Sequence, residues 1–153
     1  MSQPDAATVS GSAAEESSAP SEAAKKLAAT LGFKEGDYVQ ELGYDEDIDF
    51  DLRDNLEDGI DSDLLTEEDH EVVDGVLLWW RHEDGDLVDG LVDALTNLDE
   101  GGSIWLLTPK RGQEGEVNPV EISQAAPTAG LHVTKSADLS PTWLAHRLVA
   151  RGN

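Results

Sequence analysis

One stretch, Val72 to Lys110, limits what this chain can fold into more than any other. It begins with an apolar run, Val72-Val73-Asp74-Gly75-Val76-Leu77-Leu78-Trp79-Trp80, and closes with a second, Ser103-Ile104-Trp105-Leu106-Leu107-Thr108. Each run is short, rich in β-branched and aromatic residues, and bounded by turn residues. Runs that are apolar almost throughout suit strands covered on both faces, as in a parallel sheet. Between them Asp86 to Leu98 carries Leu87, Val88, Leu91, Val92, Leu95 and Leu98 on one helical face. Asp84 or Asp86 can cap its start, and Gly101 suits the position just past its end. The stretch therefore reads as a βαβ unit with a right-handed crossover.

The flanking chain extends this unit in both directions. Ser21 caps a helix over Glu22 to Leu31, which Gly32 ends. Tyr38 to Leu42 is the first strand, and Ile48, Leu52 and Leu56 at four-residue spacing predict a helix from Asp49 to Glu57. Gly59 to Asp69 reads as a polar connection. Downstream, Asn118-Pro119 is a helix start, Pro127 interrupts that helix and Gly130 closes it. Leu131 to Ser136 is a strand. The short turn Leu139-Ser140-Pro141 makes the last strand, Trp143 to Val149, antiparallel to it. The expected spatial order is first strand, Val72 strand, Ser103 strand, last strand, Leu131 strand. Residues 1–20, rich in Ser and Ala, hold too little apolar surface to offset ordering entropy and are expected to be disordered. Residues 21–153 are expected to form one domain with an acidic insertion at about 43–70.

Charge is distributed unevenly. The formal net charge is −23, and all of it lies between Glu35 and Glu100, where 25 Asp and Glu face only Arg53 and Arg81. Elsewhere 8 acidic and 8 basic residues cancel. Such a field repels nucleic-acid backbone and anionic membrane surfaces and attracts basic partners. The absence of cysteine excludes disulfides, thiolate metal sites and thiol nucleophiles. There is no basic-then-apolar leader and no apolar run of bilayer length, so a cytoplasmic location is expected.

From Asp74 onward the order of elements resembles the second half of a class I S-adenosylmethionine-dependent methyltransferase, a fold that also ends with a reversed strand inserted into a parallel sheet. More specifically, Ala24 to Arg151 resembles the family called domain of unknown function 3052, small Rossmann-like proteins with no settled reaction. The residues that carry the likeness are Leu31-Gly32-Phe33-Lys34-Glu35-Gly36, Gly101-Gly102-Ser103-Ile104-Trp105 with Thr108-Pro109-Lys110, and Thr142-Trp143. The resemblance implies a three-layer α/β sandwich with a mostly parallel five-stranded sheet whose last strand is antiparallel. In the methyltransferase fold the first strand ends in an acidic residue followed by alternating glycines. Glu41 and Gly43 match, but the next two glycine positions are Asp45 and Asp47. Their side chains fill the space and repel the cofactor's carboxylate. The roughly 30 residues from Gly43 to the βαβ unit hold one helix, not the two further strands that would supply a ribose-binding acid. No cofactor is expected.

Open α/β sheets bind ligands at the carboxyl ends of their strands. There Arg81, Lys110 and Arg111 are the candidate anion contacts, with Arg81 and Lys110 expected to pair with Asp45 and Asp47. His82 reads as an exposed turn histidine without a nucleophile, and His132 and His146 as structural. Asp45, Asp47, Asp49 and Asp51 alternate as in a calcium loop, but Phe50 stands where such a loop needs glycine and Leu56 where it needs glutamate. The four aspartates instead form the candidate partner surface. Trp79, Trp80, Trp105 and Trp143 read as core, with Trp79 and Trp80 on opposite sheet faces. The resulting expectation is a non-catalytic acidic domain acting in regulation through protein contacts, with a basic partner, no direct nucleic-acid contact and no membrane. The alternatives are a divergent methyltransferase-like enzyme or small-molecule sensor using the strand-end cleft, and an acidic mimic of nucleic acid.

Overall fold

The computed structural model describes residues 21–150; the stretch 1–20 expected to be disordered lies outside them. Helix α1 (Glu22–Leu31) starts where the Ser21 hydroxyl accepts the Ala24 N–H and ends at Gly32 in the left-handed region. Then follow β1 (Val39–Leu42), α2 (Phe50–Ile60), β2 (Val73–Trp79), α3 (Leu87–Leu95), β3 (Leu98–Pro109), α4 (Pro119–Thr128), β4 (Leu131–Ala137) and β5 (Trp143–Ala150). A single 3-10 turn, His82–Asp84, separates β2 from α3.

The five strands form one sheet in the order β1-β2-β3-β5-β4. The β1–β2 and β2–β3 pairs are parallel, whereas β5 runs antiparallel to both β3 and β4. This is the predicted topology, with the Trp143 strand in the interior of the sheet. Alternation along the strands sorts the core into two layers. Leu77, Trp79, Trp105 and Leu107 join Leu31, Leu52, Leu56 and Ile60 of α1 and α2. Val76, Leu78, Ile104 and Leu106 join Leu87, Leu91, Ile122 and Ala126 of α3 and α4 on the opposite face. Trp79 and Trp80 fall on opposite faces, the first fully buried and the second half-buried.

Three boundaries differ from the sequence expectation. Helix α2 continues past Gly59, because that glycine is a contact point and not a stop. A Cβ there would lie 2.5 Å from the Ala24 carbonyl oxygen of α1. The turn out of α2 is made by Asp61, in the left-handed region at φ 56°. Helix α3 ends at Leu95, before Gly101, and β3 begins at Leu98. Gly101 lies within an irregular stretch of β3 between its pairings Leu98–Val73 and Ser103–Gly75. In α4, Pro127 sits in the last turn, where the helix runs only one residue further.

The acidic stretch 43–70 holds α2 and a return segment along the outer side of β1. Leu65 makes a single parallel bridge to Gln40. The Gln40 side-chain amide donates to the Thr66 and Asp69 carbonyls at 2.9 and 3.1 Å. This short segment shields the β1 edge of the sheet.

Candidate functional site

Parallel strands β1, β2 and β3 deliver three loops to one end of the sheet, and the first two close on each other. Gly43, at φ 80°, follows β1 so closely over β2 that a Cβ would lie 2.1 Å from the Trp79 carbonyl oxygen. Arg81, just past β2, is 7% exposed. Its guanidinium donates to the Gly43 carbonyl at 2.8 Å and to the Trp79 carbonyl at 3.4 Å. It grips Asp47 through Nε at 3.0 Å and Nη2 at 2.5 Å, and reaches Asp84 at 3.2 Å. The same guanidinium lies 5.2 Å from the Trp143 ring centroid, and the Trp143 indole N–H donates to the Asp47 carbonyl at 3.2 Å. Burial alone would lower the Arg81 pKa, but its hydrogen bonds to Asp47 and Asp84 outweigh burial and hold it above the ordinary arginine value. The Arg81 hydrogen bond also pulls Asp47 below the usual carboxylate range, against a smaller opposing effect of burial.

Glu41, the acid at the end of β1, is equally committed. It is 5% exposed, accepts both oxygens' worth of contact from Arg53 Nε at 2.8 and 3.0 Å, and accepts the Trp79 indole N–H at 2.9 Å. Arg53 and Arg81 are the only two cations between Glu35 and Glu100, and both are held by carboxylates near the ends of β1 and β2. Sequence reasoning missed the Glu41–Arg53–Trp79 network and the Asp84 contact. The usable signal was that scarcity: two arginines among so many carboxylates are the natural centres for pairing.

The remaining predicted residues disperse. Lys110 does not meet Asp45 or Asp47; its ammonium pairs with Asp138 at 2.5 Å, and its backbone N–H binds the Thr142 carbonyl. The β4–β5 turn thus captures Lys110, a contact spanning 28 residues that no local pattern announces. Arg111 is exposed in the loop after β3 and makes no ion pair among the described residues. His82 is exposed and 3.8 Å from Glu121. Among the four aspartates, Asp49 is the α2 cap, with one oxygen on the Leu52 N–H and the other accepting the Ser140 hydroxyl at 2.6 Å. Asp47 belongs to Arg81, which leaves Asp45 and Asp51 exposed and without a cation among the described residues. His146 is 7% exposed on β5, with Nδ1 3.1 Å from the Ser136 hydroxyl, and burial pushes its pKa down. Among the described residues no group of His, Asp and Glu side chains is arranged to hold a metal ion, and no helix is long and apolar enough to cross a membrane.

The residues at the end of β1 do not fit S-adenosylmethionine. Both backbone polar groups of Gly43 are taken by this chain's own side chains: the carbonyl by Arg81, and the N–H by the Glu67 carboxylate at 3.2 Å. Asp45 and Asp47 occupy the positions where backbone would have to approach a ligand. A cavity of about 550 Å³ remains on the α3 side of this closure, lined by Tyr44, Asp45, Glu67, Trp80, Asp84 and Asp93 among others.

Sheet order and the reversed β5 together define a Rossmann-like α/β fold, the fold that class I methyltransferases also have. Solved structures agree on the fold. A chain of the Haloferax volcanii complex between the Trm112 methyltransferase activator and a candidate methyltransferase superposes with TM-score 0.56 at 18% identity, over 84% of this chain and 88% of that one. An S-adenosylmethionine-dependent methyltransferase of Aquifex aeolicus gives 0.52 at 13% identity, over 82% and 88%. The mitomycin 7-O-methyltransferase MmcR gives 0.54 at 11%, over 84% of this chain but 54% of that enzyme, so this chain spans about half its length. Within that fold the chain belongs to the family described as protein of unknown function (DUF3052), whose model matches residues 28–152. Uncharacterised proteins of Mycobacterium bovis and Mycobacterium tuberculosis are 52% identical over 126 residues, covering 82% of this chain and 79% of theirs.

Proposed function

We propose that this chain is a non-catalytic, acidic Rossmann-like domain that acts in regulation through protein contacts, meeting a basic or mixed-charge partner with its 43–70 region. The observation that carries this reading is the closure around Gly43. Glu67 occupies the Gly43 N–H, the backbone donor through which a strand-end loop would hold an anionic ligand, Arg81 ties down the Gly43 carbonyl, and Glu41 is committed to Arg53 and Trp79. The surface left over is dominated by carboxylates, which favour fast, salt-sensitive association with a cationic partner. Residues 21–153 act as one domain in this proposal, in the cytoplasm, with neither nucleic acid nor membrane as a direct partner.

The test pairs two measurements. Calorimetric titration with S-adenosylmethionine should show no heat of binding and no rise in melting temperature; ligand at about 100 times its dissociation constant would add about 2.7 kcal/mol. Affinity capture should recover a partner whose binding weakens steeply with salt and fails when Asp45, Asp51 and Asp54, exposed and unpaired among the described residues, are changed to Asn, with Asp47 and Asp49 left in their structural contacts. Cofactor binding, or salt-insensitive capture by that variant, would defeat the proposal. A second reading, a sensor of a small molecule, is favoured by the 550 Å³ cavity and by the Trp80 indole N–H, which is buried without a hydrogen-bond partner among the described residues. A nucleotide and metabolite screen by thermal shift separates it from the first.

A further inference from the structure

Two aromatic rings stand exposed in the middle of the acidic stretch. Tyr44 is 55% and Phe50 42% exposed, and they pack edge to face with centroids 5.9 Å apart. Lone exposed apolar side chains are ordinary, but these two form a joined patch. The patch is also held still. The Arg53 guanidinium lies 5.4 Å from the Tyr44 ring centroid while both oxygens of buried Glu41 fix it in place. The chain on either side is pinned as well, through the Gly43 carbonyl by Arg81 and through the Asp49 carboxylate by the Ser140 hydroxyl. Rings kept rigid before contact lose little entropy when a partner covers them, which is the character of an interface anchor.

The surroundings state what would cover it. Asp45, Glu46, Asp51 and Asp54 are exposed around the pair, and none has a cationic partner among the described residues. Next to Tyr44 opens the 550 Å³ cavity, with carboxylates Asp45, Glu67, Asp84 and Asp93 in its lining. Its lone arginine among the described residues, Arg81, is already bound to Asp47 and Asp84. An indole and a phenol beside carboxylates form a site for a lysine or arginine side chain, through ring faces and charge together. Phe50 does not line the cavity, so a small cation would leave half the aromatic pair uncovered, whereas a peptide segment reaches both. A second copy of this chain is disfavoured because two molecules of net charge −23 repel.

Resting on the proposed protein-contact function, we infer that Tyr44 and Phe50 anchor the docking surface. The occupant is a segment of a partner protein in which a large apolar side chain lies beside lysine or arginine, with one cation entering the cavity next to Trp80.

The test is selection of a random peptide library on the full chain, followed by fluorescence anisotropy with the selected peptides. Enriched sequences should place Lys or Arg next to Phe, Trp, Leu or Ile. The exposed double variant Tyr44→Ser with Phe50→Ser, checked for an unchanged far-ultraviolet spectrum, should lose about tenfold or more in affinity, as anchors do. An independent variant, Asp45→Asn with Asp51→Asn and Asp54→Asn, should weaken the same peptides and flatten their salt dependence. Basic peptides that lack apolar residues, and that bind the wild-type chain and the Ser variant equally, would overturn the anchor while leaving the proposed function standing. Enrichment of peptides without cations would overturn both.

Discussion

Replacing Arg81 tests whether the strand-end closure is part of the fold. The Arg81→Ala change strips five contacts at once: two to Asp47, one each to Asp84, the Gly43 carbonyl and the Trp79 carbonyl. Breaking a fully buried ion pair costs about 3–5 kcal/mol. Asp47 is 52% exposed in its side chain, so water can solvate it after the loss and that share must be cut sharply. The two carbonyls are less forgiving, at about 1–3 kcal/mol for each group left unpaired, and the Trp143 ring loses its stacked cation. The expected total is about 3 kcal/mol, which for a chain of this size lowers the melting temperature by about 6 to 12 °C. Arg81→Lys keeps the charge but not the two-pronged grip, and should lie near half that loss. Urea unfolding, with the slope checked for equality, measures both. A loss under about 1 kcal/mol for Arg81→Ala would mean that water satisfies these groups equally well. The strand-end position would then not be structurally closed.

Three further outcomes follow from the same geometry. Burial lowers the His146 pKa below the ordinary 6.5, so its neutral form contributes stability that is complete above that pH and is lost as pH falls through 6.5 toward the folded value. The wild-type chain should therefore lose ground against His146→Asn in unfolding experiments between neutral and mildly acidic pH, and parallel curves would refute this. Added salt should raise the melting temperature, since the screening length falls from about 10 Å at 0.1 M to about 3 Å at 1 M and mutual repulsion among the carboxylates fades; a flat response would mean that the ion pairs of Arg53 and Arg81 offset it. A chain starting at Ser21 should melt within about 2 °C of the full length, a shift worth under about 1 kcal/mol, and a larger drop would show that residues 1–20 dock.

What could be read from the sequence was what depends on neighbours along the chain. The β2–α3–β3 unit announces itself because apolar runs and a helical period are local, and the caps Ser21 and Asn118 do the same for α1 and α4. The reversed β5 followed from the short Leu139-Ser140-Pro141 turn. Gly59 was misread because a glycine signals either freedom or closeness, and only the packed structure says which; Gly101 has the positive φ expected of a helix end, but in an irregular stretch of β3. Gly59 admits the Ala24 carbonyl of α1. The candidate site was legible in part, since Asp45 and Asp47 visibly stand where the methyltransferase-type loop carries glycine. It was not legible in its pairings: Glu41 with Arg53, Arg81 with Asp84 beside Asp47, and Lys110 with Asp138 are choices among many carboxylates of similar reach. Electrostatics alone does not rank them. Burial does, and burial is set by the whole sheet.

The close pass of Gly43 over Trp79 changes how a defect at this position should be interpreted. An acidic residue and a glycine at the end of a first strand invite the reading that the glycine serves a bound nucleotide-like ligand. Here the space beside Gly43 belongs to the chain's own Trp79 carbonyl. A methyl group at position 43 would separate the β1 loop from β2 and drag the Gly43 carbonyl away from Arg81. A variant there would arrive as poorly accumulating protein, and any loss of partner binding would trace to a shrinking folded population. A screen that scores only activity in cells would mistake that for ligand loss, so soluble protein must be quantified before any role in binding is assigned to this glycine.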